Sequence, residues 1–251
     1  MLHNTAFRCK VASGFDSDVM IKKAKARRKA PPAPRKRRAA GHGGRGLSRE
    51  RIAAVAMALV DRDGLAQFST RRLGEELGCE AMSIYHHFPS KAHLLDALVD
   101  LMLAEAQVAM EPQWDWRERL RRAAHGFRAM ALKHPAFFPF FAVHRLNTAA
   151  GVAYIDGIIG ILRDAGFSNR EAAVYFRELG YYLTGAALDE TAGYARGPSS
   201  AEPVPDETIA ANFKHLAAAA PYFQPAHFDA TFETGLEILL AGIERSNQRQ
   251  D

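Results

Sequence analysis

The chain has 251 residues, 48% of them hydrophobic, which is ordinary for a globular protein long enough to bury a core. Its two cysteines are too few for a disulfide framework or a cysteine-based zinc site. The longest apolar stretch, residues 152–162, is too short to cross a bilayer, and the first twenty residues lack the apolar run of a secretory signal, so a cytoplasmic protein is predicted.

The net charge of +5 combines two parts of opposite sign. Residues 1–46 carry 13 Lys and Arg against two acidic residues, whereas residues 47–251 carry 20 against 26. The first part is rich in proline and glycine near its end, and we predict a disordered basic tail and linker that could add salt-dependent, non-specific affinity for DNA. Gly41, Gly43 and Gly46 have the spacing of a dinucleotide-binding fingerprint, but no apolar strand precedes them, so that interpretation is rejected.

Every element predicted after residue 47 is a helix. Apolar residues recur at the i, i+3, i+4, i+7 spacing of a helix with one buried face, and no strand alternation interrupts them. Ser48 and Ser69 are expected N-caps, and the patterns at residues 115–118 and 168–171 are typical of capping boxes. The predicted helices span residues 48–64, 69–78, 81–87 and about 90–111. Two longer helices open at residues 115 and 168, and others span residues 148–165, 206–219 and 228–246.

The fold class predicted from these elements is all-α, with two domains after the tail. Residues 47–92 form a three-helix head. A connecting helix then leads into a larger helical bundle, and residues 93–251 make up this second domain.

The second and third helices of the head have the arrangement of a helix-turn-helix. A tight turn at residues 78–80 joins them, and only Ile84 and Phe88 are expected to pin the third helix onto the first. Its other side chains are polar or small and are expected to be exposed, as base-reading residues must be. Small helical hairpins also occur as plain scaffolding, so the spacing alone leaves both interpretations open.

The run from Ser69 to Lys91, which contains Leu77-Gly78 and Tyr85-His86-His87-Phe88, resembles the DNA-binding signature of the tetracycline-repressor (TetR) family of transcriptional regulators. Weaker similarity to the regulatory domain of that family continues at residues 166–168, 188–190 and 235–244. The resemblance covers residues 47–246.

The resemblance implies two sets of DNA contacts. An arginine that binds a guanine in the major groove discriminates by about 1–3 kcal/mol, whereas small apolar side chains offer only contact with a thymine methyl. The residues expected to hold phosphates are Thr70, Tyr85, His87 and Lys91, and those expected to face base edges are Arg71, Ala81, Met82, Ser83 and His86.

Residues 137–141, Phe-Phe-Pro-Phe-Phe, are predicted to break a helix in the second domain, where a bundle can open a cavity. Ligand sites are mostly apolar with a few polar groups. The ligand-binding candidates are Gln107, Phe127, Phe137, Phe141, His144, Asn147, Tyr182 and Asp189.

A bound metal is not expected. The adjacent His86 and His87 diverge by about 100° on a helix and have no i, i+4 partner. By resemblance, Asp189 and His144 lie near positions where tetracycline repressors bind a metal–drug complex, but Gln107 replaces a drug-contacting histidine. The sequence therefore predicts a similar pocket for a different small molecule, without magnesium or another cofactor.

The predicted function is a sequence-specific DNA-binding regulator, most simply a repressor that a small-molecule effector releases from a palindromic operator. The resemblance implies a homodimer that pairs through helices at residues 168–194 and 228–246. Two alternatives are a regulator without an effector and a non-specific nucleoid binder that uses the tail. No nucleophile–base pair or metal triad is recognised, so an enzyme is not predicted, and neither is a membrane partner.

Overall fold

The computed structural model describes residues 46–107, 111, 113–192 and 201–247. The helices in these ranges are α1 (Arg49–Asp63), α2 (Thr70–Leu77), α3 (Ala81–Tyr85), α4 (Lys91–Ala106), α5 (Trp116–Lys133), α6 (Phe138–Val143), α7 (Ala149–Asp164), α8 (Asn169–Ala192), α9 (Asp206–Asn212), α10 (Lys214–Ala219) and α11 (Phe228–Asn247). Short 3-10 turns at Leu65–Gln67, Ala220–Phe223 and Pro225–His227 connect them, and the described ranges contain no strand. The predicted basic tail lies outside the described residues.

The predicted N-caps are confirmed. The side chains of Ser48, Ser69 and Asp115 each accept a hydrogen bond from a backbone N–H in the first turn that follows. Thr148, which the sequence analysis did not single out as a cap, does the same at the start of α7. At the start of α8 the capping box is reciprocal, because the Ser168 N–H donates to the Glu171 carboxylate at 2.9 Å and the Glu171 N–H donates to Oγ of Ser168 at 3.3 Å.

Some helix ends differ from the prediction. The third helix is two residues shorter than expected and ends at Tyr85. The fourth ends at Ala106, where Gln107 is extended, with ψ of 129°. The expected helix over residues 206–219 is two short helices, since Phe213 leaves the helical region at ψ of 58°. Pro139 does not only break a helix: it lies in the first turn of α6, where its missing N–H costs no hydrogen bond.

Two hydrophobic cores hold the helices together. The first joins the head to α4, α5 and α6 and contains Ile52, Leu73, Leu98 and Phe138 among its buried members. The second lies between α5, α7, α8 and α11. Because the first core crosses from the head into the second domain, α4 is packed against both.

No helix in the described ranges is long and apolar enough to span a membrane.

Candidate DNA-binding surface and ligand cavity

The third helix of the head presents its polar side outward. Ile84 and Phe88 are each 1% exposed, as the sequence predicted, whereas Met82 is 65% exposed. His86 is also exposed, and Ala81, Ser83 and His87 are half-buried. Short helices with one buried side leave the other free to enter a groove of DNA.

The hydroxyls of Thr70 and Tyr85 lie 3.2 Å apart and join α2 to α3. Both were expected to hold phosphates, and both hydroxyls belong to partly exposed side chains. Lys91 begins α4 and donates to the backbone carbonyl of Phe68 at 3.0 Å. Three of the four predicted phosphate contacts are therefore held to one another or to the backbone.

Two neighbouring arginines in α2 have different surroundings. The side chain of Arg71 is 84% exposed and lies 3.7 Å from Glu75 one turn further on. Arg72 donates to Asp63 at 2.7 Å and to the carbonyl of Gln67 at 3.2 Å, so it ties α2 to the end of α1. Of the two guanidinium groups, only that of Arg71 is directed away from the head.

Arg49, at the start of α1, contacts the segment that directly follows α3. Its guanidinium donates to the backbone carbonyl of His87 and lies 4.2 Å from the ring centre of Phe88. The sequence analysis missed this role, because contacts 38 residues apart leave no local signal.

Helices α5, α6, α7 and α8 enclose a cavity of about 180 Å³. Among the described residues, its walls are mostly aliphatic and aromatic, with polar side chains only at His144, Tyr154 and Thr184. The residues that line it are Leu120, Ala123, Ala124, Phe127, Phe141, Ala142, His144, Leu146, Tyr154, Ile158, Phe176, Leu179, Gly180, Leu183 and Thr184.

Three of the eight expected ligand residues, Phe127, Phe141 and His144, line this cavity. The other five do not. Phe137 is fully buried and packs against Phe140, because it points into the first core rather than into the bundle.

Gln107 and Asn147 are exposed residues beyond the ends of helices, so their side chains are not held against the cavity. Tyr182 and Asp189 lie along a separate groove between α8 and α11. Tyr182 stacks on Phe232 there and donates to its carbonyl at 2.6 Å, so its hydroxyl is already used.

The cavity is linked to α4 by hydrogen bonds. Nε2 of His144 lies 3.0 Å from the Asp96 carboxylate, and the Thr148 hydroxyl donates to Asp100 at 2.5 Å. Asp96 and Asp100 are one turn apart on α4 and therefore share a face. His144 therefore connects the wall of the cavity to the helix that follows the helix-turn-helix.

A second histidine connects the head to the bundle. His134, at the end of α5, is 4% exposed, and its ring nitrogens lie 2.8 Å from Asp61 in α1 and 2.9 Å from Glu105 in α4. Lys133 also pairs with Glu105, at 2.9 Å. His134 is therefore part of the junction between the two domains and not of the cavity.

Among the described residues, no group of three or more His, Cys, Asp or Glu could hold a metal ion. His144 and Asp189, which the resemblance placed near a metal–drug site, lie at the cavity and at the separate groove respectively. One chain therefore does not bring these two residues together as ligands.

A helix-turn-helix with an outward polar face, joined through one helix to an apolar cavity, defines a ligand-responsive DNA-binding regulator. Two family models match the chain: "Bacterial regulatory proteins, tetR family" over residues 52–98, and "Tetracyclin repressor-like, C-terminal domain" over residues 109–246.

Similar proteins support the same assignment. The class C tetracycline repressor of Escherichia coli is 30% identical over 201 residues, which cover 79% of this chain and 91% of that protein. A structure of a possible TetR family regulator from Streptomyces coelicolor has 30% identity and a TM-score of 0.65, over 79% of this chain and 100% of the other. The Streptomyces coelicolor protein ActR, solved with actinorhodin, has 27% identity and a TM-score of 0.64, over 80% and 98%.

The chain belongs to the tetracycline-repressor family. It is a DNA-binding transcriptional repressor under the control of a small-molecule effector, and like other members of the family it acts as a dimer.

Proposed function

We propose that this protein represses transcription by holding a palindromic operator through α2 and α3, and that an effector in the cavity between α5 and α8 releases it. The observation that carries this proposal is the pair of hydrogen bonds from His144 and Thr148 to α4. The first joins the cavity wall, and the second joins the start of α7, to the helix that begins beside the DNA-binding surface.

For DNA, we propose that Arg71 and the exposed side of α3 read base edges in the major groove. Tyr85, Thr70 and Lys91 would position the head on phosphates, because each is anchored at the edge of that surface. Residues 47–91 carry six basic and six acidic side chains, so the head has no net charge. Its affinity for DNA therefore depends on where individual side chains lie on the surface.

Release requires that the effector bind more tightly to the conformation of the dimer in which the distance between the two heads does not fit DNA. A ligand that displaces His144 would loosen its hydrogen bond to Asp96 and let α4 shift. Because α4 is packed in the same core as the head, such a shift would change the distance between the two heads of a dimer.

We propose that the dimer forms through one face of α8 and α11. Val174, Tyr181 and Ile238 are large apolar side chains on these helices and are 44%, 66% and 64% exposed. Exposed apolar side chains that recur on neighbouring helices are typical of interfaces. Two heads would then meet successive major grooves about 34–36 Å apart, which requires a palindromic site.

We further propose that the protein acts in the cytoplasm, where bacterial DNA is accessible, and that it has no enzymatic activity. The domain boundaries that fit this function are a tail at residues 1–46, a DNA-binding head at 47–92 and an effector and dimerisation domain at 93–251.

The experiment that tests this proposal is selection of bound DNA from a random pool by the full chain, at about 150 mM salt so that non-specific phosphate binding is weak. We expect a single palindrome with half-sites one helical turn apart. Recovery of no preferred sequence, with affinity that depends only on salt, would contradict the proposal and favour a non-specific DNA binder.

A further inference from the structure

The walls of the cavity carry no charge of their own. Among the residues that the structure describes there, none is Asp, Glu, Lys or Arg. A ligand with a formal charge would lose its water on entry and find no opposite charge to replace it, which is strongly unfavourable. The cavity therefore favours uncharged molecules.

His144 does not change this conclusion. It is the one histidine in the described lining, and its Nε2 already lies 3.0 Å from the Asp96 carboxylate. Any positive charge on the ring is neutralised by that carboxylate, so an anionic ligand would have to compete with Asp96.

The hydroxyl of Tyr154 is a free hydrogen-bond donor in this apolar site. Burial raises the pKa of Tyr154 to about 12, so the phenol keeps its proton. The hydroxyl has no hydrogen-bond partner within the described ranges, and it is not wholly enclosed, since no fully buried side-chain atom there lacks a partner. Because Tyr154 lines the cavity, its hydroxyl is the donor that we assign to a ligand there.

Thr184 offers a second free hydroxyl. Threonines inside helices usually donate to the carbonyl four residues earlier, as Thr191 and Thr234 do in this protein at 2.6 and 2.7 Å. In the described structure Thr184 makes no such bond, although it lies on the same helix as Thr191 and lines the cavity.

The volume limits the size of the ligand. An apolar cavity of about 150 Å³ is known to hold benzene. A cavity of about 180 Å³ is somewhat larger, and its walls include Phe127, Phe141 and Phe176, whose rings stack on or edge against aromatic ligands. One or two fused rings fit without rearrangement, whereas four fused rings do not.

We propose that the effector is an uncharged aromatic compound of one or two fused rings, with a carbonyl-type oxygen that accepts a hydrogen bond from Tyr154, and that it binds without a metal ion. This inference rests on the proposed function, since it names the chemical class of the effector at the same cavity.

The test compares two ligands of nearly the same shape. 2-Acetylnaphthalene carries a neutral methyl ketone, and 2-naphthoate carries a carboxylate at the same ring position. Binding to the full-length dimer is measured by equilibrium dialysis. We expect the ketone to bind and the carboxylate to bind on the order of a hundredfold more weakly, because the charge is buried without a partner. Tetracycline with Mg²⁺ is expected not to bind.

Two tyrosine variants test whether the ketone binds at the hydroxyl of Tyr154. Tyr154→Phe keeps the ring and removes only the hydroxyl, and it should weaken binding of the ketone by about tenfold. Tyr222→Phe is the matched control, since Tyr222 lies in the 3-10 turn at Ala220–Phe223, is 67% exposed and does not line the cavity, so this variant should leave the affinity unchanged. Both variants keep an aromatic ring in place, so folding is not at risk.

Three outcomes would overturn the inference: equal binding of the carboxylate, binding of the magnesium–tetracycline complex instead of the ketone, or no effect of Tyr154→Phe. Failure of all the probes to bind would overturn it as well.

Operator binding is measured on the same samples. A failure of the proposed ligand class can then be distinguished from a failure of the proposed function. Specific DNA binding without selection for the neutral ketone contradicts only the ligand class. Binding of the ketone through Tyr154 with no specific DNA binding contradicts the proposed function instead.

Discussion

Neighbouring residues of the same type have opposite roles in the head, as Arg71 and Arg72 show. The helix places Arg71 toward solvent and Arg72 toward Asp63 and the carbonyl of Gln67. Ionic pairing also holds the pKa of Asp63 below its ordinary value, chiefly through its hydrogen bond with Arg62. One guanidinium is thus available for DNA, while the other stabilises the head.

We predict that Arg71→Ala and Arg72→Ala separate DNA binding from stability. Loss of Arg71 should weaken operator binding by about tenfold or more, as expected for loss of a guanine contact, without lowering the Tm. Arg72→Ala should lower the Tm modestly, since a partly exposed ion pair contributes little. DNA titration and thermal unfolding of both variants check this, and a lowered Tm for Arg71→Ala with unchanged DNA affinity would contradict the assigned roles.

Gly74 is predicted to be essential for the helix-turn-helix packing. A Cβ at this position would lie 2.7 Å from the backbone carbonyl oxygen of Cys79, and a backbone atom cannot move aside cheaply. Gly74→Ala should destabilise the protein by about 1–3 kcal/mol, as overpacking does, and weaken operator binding.

Gly157→Ala is the matched control for this prediction. Gly157 also lies inside a helix, but a Cβ there meets no atom within 4 Å. Alanine is the better helix former, so this change should stabilise the protein by up to about 1 kcal/mol. Urea unfolding measures both variants, and equal effects on stability would contradict the argument from Gly74.

At the scale of elements, α4 connects the helix-turn-helix head to the bundle that holds the cavity. Three of its carboxylates receive hydrogen bonds from the bundle, at Asp96, Asp100 and Glu105. The donors are His144, Thr148 and His134, which lie on either side of α6. The Phe-rich helix α6 is therefore held against α4 from both of its ends.

The pH dependence of stability should report on one of these links. Partial burial opposes ionisation of Glu105, but hydrogen bonds from Lys133 and His134 outweigh it and hold the pKa of Glu105 below its ordinary 4.5. A carboxyl group with a lowered folded-state pKa stabilises the protein above its unfolded pKa, and that contribution is lost as the pH falls through the folded value.

We therefore predict that Glu105→Gln lowers stability at neutral pH and flattens its decline between about pH 5 and 3. Urea unfolding midpoints across this pH range measure the effect. Glu202→Gln, at an exposed carboxyl in the segment before α9, is the control and should follow the wild-type curve. A Glu105→Gln curve parallel to that of the wild type would show that this carboxyl does not contribute.

At the scale of the whole molecule, DNA binding depends on two heads held at a fixed distance. A single head offers few contacts, and its charge is balanced, so one chain alone should bind DNA weakly. The proposed interface on α8 and α11 is what would set the distance between heads.

Ile238→Arg is predicted to break the dimer and abolish specific operator binding. The Ile238 side chain is 64% exposed in one chain, and the arginine would place an unpaired charge in the proposed interface. Val152→Arg adds the same charge at a 55% exposed valine of α7 and should change neither property. Sedimentation velocity and DNA titration measure the two effects. A dimer that survives Ile238→Arg would place the interface elsewhere.

The sequence by itself determined most of the helices, several of their N-caps and the helix-turn-helix motif. Ser48, Ser69 and Asp115 could be recognised because an N-cap depends on backbone N–H groups only two or three residues away. The burial of Ile84 and Phe88 followed from helical periodicity, and the family resemblance followed from a dense local pattern.

Only the tertiary structure decided which residues share the cavity. Phe137 and Phe141 are one turn apart and looked equivalent in sequence, yet Phe137 lies in the first core and Phe141 at the cavity. Tyr154 and Thr184 stand on α7 and α8, 30 residues apart, and no local pattern distinguishes their hydroxyls from those of other helix residues. The cavity is the space left between four packed helices, and its walls depend on how helices distant in sequence rotate against each other, which hydrophobic periodicity alone does not specify.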